Sequence, residues 1–78
     1  MHGQSSPADD EARAESAVLA LLIREQRPWS DSEVALEIGD PISSTDAIRR
    51  LQAAGLVHRL GGFVFATRAA LRSIEIAL

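Results

Sequence analysis

Cysteine, lysine, tyrosine and asparagine are all missing from this chain of 78 residues, and only three of its residues are aromatic. Without cysteine there is no disulfide framework and no thiolate chemistry, which fits a reducing compartment. The longest apolar run, residues 17–23, is far too short to cross a bilayer, and no signal peptide precedes it. We therefore expect a cytoplasmic protein that has no membrane partner.

Histidine, a common catalytic residue and metal ligand, is also scarce. His2 and His58 are the only histidines, and neither has a cysteine or a carboxylate beside it at the spacing of metal ligands. No pairing of a nucleophile with a base can be recognised in the sequence. We therefore expect no enzymatic activity, and with it no catalytic residue, no metal site, no cofactor and no small-molecule ligand.

The length of the chain predicts one small domain. A chain of 78 residues lies near the lower limit for a self-sufficient hydrophobic core. Residues 1–8 lack apolar periodicity and are expected to form a disordered tail, which leaves residues 9–78 as the folded domain. Because the core is small, pairing with a second copy or with another protein remains open.

Charge is distributed unevenly along the chain. The net charge of −3 argues at first sight against a nucleic-acid partner. Residues 43–73, however, contain five arginines and a single acidic residue, Asp46, so the acidic excess lies before them. An arginine binds phosphate and guanine in a planar, two-pronged way that lysine cannot reproduce. The sequence therefore predicts that the basic surface belongs to the C-terminal half.

The first two predicted helices have recognisable ends. The first runs from Asp9 to about Gln26 and has an acidic first turn, which suits the helix dipole. Its apolar arc, residues 18–23, is wider than one buried face requires. The side of the arc that does not pack on the helical core is expected to lie under the C-terminal segment or to form a subunit interface. The second helix begins with a capping box at residues 30–33 and ends at Gly39.

The third predicted helix has the clearest chemical character. A second capping box, from Ser43 to Asp46, marks its start, and Gly55 marks its end. One face is apolar and would pack on the core, whereas the other combines hydrogen-bonding groups with positive charge. A helix that enters the major groove of DNA needs such a face. An ordinary solvated surface helix has the same pattern.

After the third helix the apolar period changes to that of strands. Residues 56–60 and 63–66 flank Gly61-Gly62, a pair that suits a two-residue hairpin turn. In this register His58 faces Phe65, so we expect His58 on a half-buried sheet face in a structural role, with phosphate contact or pH sensing as alternatives.

The chain is expected to end in a helix. Thr67 is placed to cap it, and the apolar residues within 68–77 keep helical spacing. Residues 74, 76 and 78 also alternate as a strand would, so the structure of residues 74–78 is left open.

Taken in order, these elements resemble the winged helix-turn-helix domain of bacterial regulators of the MarR, ArsR and PadR kind. The resemblance implies a mainly α fold of the α+β type, with a three-helix core, a short two-stranded wing and a C-terminal helix. In that family the helix ending in Leu-x-x-x-Gly-Leu-Val reads DNA. The segments that carry the resemblance are residues 17–22, 32–39, 48–57 and 62–67.

The function expected from the resemblance is sequence-specific DNA binding by a transcriptional regulator, with residues 43–54 as the reading helix. The outward direction of the side chains on this helix and the excess of arginines select the candidate contacts. The expected base contacts are Ser44, Thr45, Arg49 and Gln52, and the expected phosphate contacts are Arg50, Arg59 and Arg68.

Two further expectations concern partners. A homodimer formed through the first and last helices would present two basic faces to double-stranded DNA. The alternative to DNA binding is a winged-helix module that binds another protein through an exposed apolar patch, such as Leu60 and Phe63 at the wing.

Overall fold

The computed structural model describes the backbone of residues 7–77 and the side chains of residues 9–73. The chain is mainly helical and has one small antiparallel sheet, as predicted at this level. Most of the predicted tail, residues 1–8, lies outside the described residues, but Pro7 and Ala8 already belong to the first helix. The elements in order are α1 (Pro7–Arg24), β1 (Trp29–Ser30), α2 (Asp31–Ile38), α3 (Pro41–Ala53), β2 (Val57–Leu60), β3 (Phe63–Ala66) and α4 (Arg68–Ala77).

The core lies between α1, α2, α3 and the sheet. Leu22 and Leu51 belong to it and are 2% and 3% exposed. Trp29 is also buried, and its indole Nε1 donates a hydrogen bond to the carbonyl oxygen of Glu25 at 2.9 Å, which satisfies its one polar atom. Within residues 7–77, none of the helices combines the length and the apolar character that a membrane-spanning segment needs.

A third strand, β1, extends the sheet beyond the predicted two-stranded wing. It pairs antiparallel with β3, placing Trp29 opposite Val64 and Ser30 opposite Phe63, so β3 is the central strand. The prediction of two strands is therefore wrong. A strand of two residues is too short to produce the alternating pattern by which strands are recognised.

The hairpin between β2 and β3 has the predicted register. Gly61 and Gly62 have φ angles of 58° and 86°, as a turn with two left-handed residues requires. His58 lies opposite Phe65, and the two rings meet edge to face with 5.4 Å between their centroids. His58 is nevertheless exposed, so the expectation of a half-buried histidine is wrong. The sheet packs on the helices through Val57 and Val64, which lie on the face opposite to His58.

The helix α3 begins earlier than predicted. Asp40 is its N-cap: Asp40 Oδ1 accepts from the backbone N–H of Ser43 at 3.1 Å, and Asp40 Oδ2 accepts from Ser43 Oγ at 2.9 Å. These bonds, the backbone one above all, hold the pKa of Asp40 below its usual value. Pro41 takes the first helical position, where a missing N–H has no cost. The capping box predicted from Ser43 to Asp46 is therefore wrong, because Asp40-Pro41 provides an earlier start.

Other helix ends follow the sequence signals. Ser30 Oγ accepts from the N–H of Glu33 at 3.1 Å, while Glu33 Oε1 accepts from the N–H of Ser30 at 2.9 Å, which is the predicted capping box of α2. The backbone hydrogen bond from Ser30 is the main reason why the pKa of Glu33 is lowered. After α3, Gly55 has the predicted positive φ, at 79°.

The end of α3 is joined to the start of α4. Thr67 caps α4 as predicted, since its Oγ1 accepts from the N–H of Ala70 at 3.3 Å. The same hydroxyl donates to the carbonyl oxygen of Gly55 at 2.7 Å, and the N–H of Thr67 donates to the carbonyl oxygen of Leu56 at 3.0 Å. The backbone of α4 remains helical as far as Ala77, which favours the helical alternative for residues 74–77.

Candidate functional site

The candidate site is the outward face of α3, and burial of the opposite face fixes its direction. The buried residues of α3 are Ser44, Ala47, Ile48 and Leu51. Since successive side chains are separated by about 100° around a helix, the direction opposite to them is shared by Ile42, Asp46, Arg49 and Ala53. Asp46 is half-buried, and the other three are exposed. We call the three exposed residues the outward line of α3.

Two of the predicted base contacts flank the outward line. Thr45 and Gln52 are exposed on one side of it, and Arg49 lies on it. Ser44 does not belong to this surface, because its side chain is only 1% exposed and its Oγ donates to the carbonyl oxygen of Asp40 at 2.7 Å. The prediction that Ser44 contacts a base is therefore wrong: its direction around the helix is inward.

Arg49 extends into solvent and is held by an acidic residue of its own helix. Its side chain is 71% exposed, and its guanidinium forms an ion pair and hydrogen bond with Asp46, three residues earlier. Exposed pairs of this kind contribute little to folding stability, because solvent screens them and both side chains lose freedom. The guanidinium is therefore accessible to an external acceptor at small cost.

Arg59 connects the hairpin to the face of α3. Its Nε donates to Gln52 Oε1 at 3.3 Å, which makes the polar surface of α3 continuous with β2. Its Nη1 lies 2.9 Å and 2.7 Å from the two carboxylate oxygens of Asp31, the first residue of α2. The guanidinium of Arg59, which was predicted to bind phosphate, is thus already paired with Asp31 of the same chain.

The other two predicted phosphate contacts differ in their surroundings. Arg50 Nε lies 2.6 Å from Glu15 Oε2, and its Nη1 lies 3.9 Å from Glu11, so Arg50 joins α3 to α1. The hydrogen bond to Glu15 is the main cause of its raised pKa. Arg68 is exposed at the start of α4 and has no ion-pair partner among the side chains of residues 9–73.

Exposed apolar side chains are the part of this surface that sequence reasoning largely missed. Leu60 and Phe63, which were predicted as a patch, face each other across the hairpin and are 67% and 42% exposed. Leu36 and Ile42 are more exposed still, at 81% and 77%. Ile42 was missed because the predicted start of α3, at Ser43, placed it before the helix.

Comparison with protein-family models, with curated proteins and with solved structures finds no match for this chain. Its function is therefore inferred from the surface around α3 alone.

Proposed function

We propose that the chain is a winged helix-turn-helix protein that binds double-stranded DNA and regulates transcription. In this proposal α2 and α3, joined by Gly39 and Asp40, form the helix-turn-helix, and α3 enters the major groove. The hairpin of β2 and β3 is the wing. The observation that carries the proposal is the continuous polar surface that Thr45, Arg49 and Gln52 form with Arg59.

The side chains on this surface suit the edges of bases. Arg49 has the planar pair of donors that fits the two acceptors of guanine, and the amide of Gln52 fits the donor and acceptor of adenine. Thr45 is exposed beside them and has a hydroxyl that donates to the carbonyl oxygen of Pro41 at 2.9 Å. That hydroxyl keeps its lone pairs for a base donor or a water molecule.

The phosphate contacts are assigned to Arg59 and Arg68. Arg50 is left as a link between α3 and α1, since its guanidinium already has Glu15 at hydrogen-bond distance. Arg59 has to exchange Asp31 for a phosphate oxygen, which is an exchange of one anionic acceptor for another. The carboxylate that is left behind repels the duplex, so we expect binding to be weak in general and strongly dependent on salt.

A homodimer is also part of the proposal. The helices α1 and α4 pack against each other within the chain, and α1 keeps half-buried apolar side chains at Leu19 and Ile23. A two-fold dimer through these helices would present two copies of α3 to half-sites about 10 bp apart, or a multiple of that. Sedimentation at micromolar concentration should show a species of twice the mass, and a single 8.4 kDa species would contradict the dimer.

Binding of another protein is the second candidate function. Four large apolar side chains, Leu36, Ile42, Leu60 and Phe63, are exposed, and each of the arginines Arg49 and Arg59 already has an acidic partner. A protein interface uses apolar groups of this kind at its centre.

Titration of the isotope-labelled chain with a mixed-sequence duplex, followed by NMR at about 50 mM salt, separates the two candidates. DNA binding predicts shifts at Thr45, Arg49, Gln52 and Arg59 that disappear as salt is added. Arg49→Ala should reduce these shifts, whereas the control Arg24→Ala, which removes an equal charge at the end of α1, should not. Absence of any shift at this salt concentration would rule out DNA reading and leave protein binding.

A further inference from the structure

Ile42 is a large apolar side chain in an unusual place. It lies in the first turn of α3, is 77% exposed, and shares the outward line of that helix with Arg49. Its exposure means that it contributes little to the core, in contrast to the fully buried Ala47 on the opposite face. An exposed apolar side chain in line with Arg49 on a polar face therefore needs another explanation.

The direction and the spacing of Ile42 relative to Arg49 are set by helix geometry. The two residues are seven positions apart, which is nearly two full turns, so they project in almost the same direction. At about 1.5 Å per residue they are separated by about 10.5 Å along the helix axis. With a rise of about 3.4 Å per base pair, this distance corresponds to about three base pairs of duplex.

The major groove offers one apolar partner to such a side chain. Thymine carries a methyl group at C5, and no other base presents a methyl group at its major-groove edge. An isoleucine cannot satisfy a donor or an acceptor, so it would favour the base whose edge carries a methyl group.

We infer that Ile42 is a specificity-determining residue that contacts the methyl group of a thymine about three base pairs from the guanine bound by Arg49. This inference rests on the proposed DNA-binding function and gives it a sequence requirement. Ala53, the third member of the outward line, is small and allows the helix backbone to approach the bases closely.

Selection of bound duplexes from a random library tests the inference. The full chain and the variants Ile42→Ala and Arg49→Ala are each used at about 50 mM salt, where weak binding persists. The parent should enrich a thymine and a guanine about three base pairs apart. Ile42→Ala should lose only the thymine preference, and Arg49→Ala should lose only the guanine preference. The control Leu36→Ala removes a side chain that is equally apolar and 81% exposed but lies on α2, and it should keep both.

Replacement of the selected thymine by uracil removes the methyl group and nothing else. For the parent we expect affinity to fall about fourfold, which is the value of one methyl group removed from water. For Ile42→Ala the same replacement should have no effect, because the partner of the methyl group is already missing.

The outcomes distinguish this inference from the proposed function. A library from which the parent enriches nothing would refute DNA reading and the inference with it. An enriched motif that is unchanged in Ile42→Ala, or equal binding of thymine and uracil duplexes by the parent, would refute the inference alone. Loss of the thymine preference in Leu36→Ala as well would show that the apolar surface acts as a whole, and would also refute it.

Discussion

Substitutions of the two members of the Arg59–Asp31 ion pair should change the affinity for DNA in opposite directions. If Arg59 binds phosphate, Arg59→Ala removes a contact from every duplex alike, and affinity falls without a change in sequence preference. Asp31→Asn keeps the size and shape of the side chain but releases the guanidinium and removes a negative charge from the DNA-facing surface. It should therefore increase affinity for every duplex.

The size of both effects follows from the geometry. One phosphate contact contributes about 0.9 to the slope of log K against log salt, so from about 50 to about 200 mM salt the parent should lose about 3.5-fold more affinity than Arg59→Ala. Arg59 Nη1 binds both oxygens of Asp31, at 2.9 Å and 2.7 Å, but the pair is partly exposed to solvent. A pair of this kind is worth about 0.2–1 kcal/mol, so Asp31→Asn should bind about 1.5- to 5-fold more tightly.

Fluorescence anisotropy with a labelled mixed-sequence duplex at several salt concentrations measures both quantities. Thermal unfolding of each variant is the control, because a weakened fold would imitate weakened binding. The double variant Arg59→Ala with Asp31→Asn completes the cycle, and in it the gain from Asp31→Asn should be reduced. An unchanged salt slope in Arg59→Ala, together with no gain in Asp31→Asn, would show that Arg59 does not contact phosphate.

Three further predictions concern the fold. Leu51→Ala should lower the free energy of unfolding by about 2–5 kcal/mol, because the side chain is 3% exposed in the core; an unchanged urea midpoint would show that α3 is wrongly placed. Gly55→Ala should cost about 1 kcal/mol through backbone strain alone, since φ is 79° and the added carbon would meet no side chain or more distant backbone within 4 Å. The pKa values of Glu33 and Asp40 are lowered in the folded state, so their contribution to stability is present above the unfolded pKa, about 4, and is lost as the pH falls below it. The difference in melting temperature between the parent and Asp40→Asn should therefore be smaller at about pH 3 than at neutral pH; an equal difference at both would refute the assignment.

Local signals in the sequence predict the local features of this fold. The capping box of α2 requires only Ser30 and Glu33 at the correct spacing, and the left-handed end of α3 requires only Gly55. The hairpin register follows from Gly61-Gly62 between two short apolar runs. Each of these features is determined by residues that are close in sequence, so each can be predicted without a three-dimensional structure.

The features that the sequence predicts wrongly or does not predict depend on a choice between competing local signals or on partners that are distant in sequence. Two possible starts for α3, at Asp40 and at Ser43, compete within four residues, and the sequence alone does not rank them. The acidic partner of Arg59 lies 28 residues away and that of Arg50 lies 35 residues away. A positive segment in the sequence therefore need not be a positive surface, because the fold brings carboxylates to its arginines.

The bonds of Thr67 have a mechanical consequence. Its hydroxyl and its N–H fasten the first turn of α4 directly to Gly55 and Leu56, the two residues that follow α3. A displacement of the first turn of α4 therefore reaches the end of α3 directly through the hydrogen bonds of Thr67, in addition to the packing of α4 on α1. The position of α4 would thus influence the angle at which α3 lies on the surface.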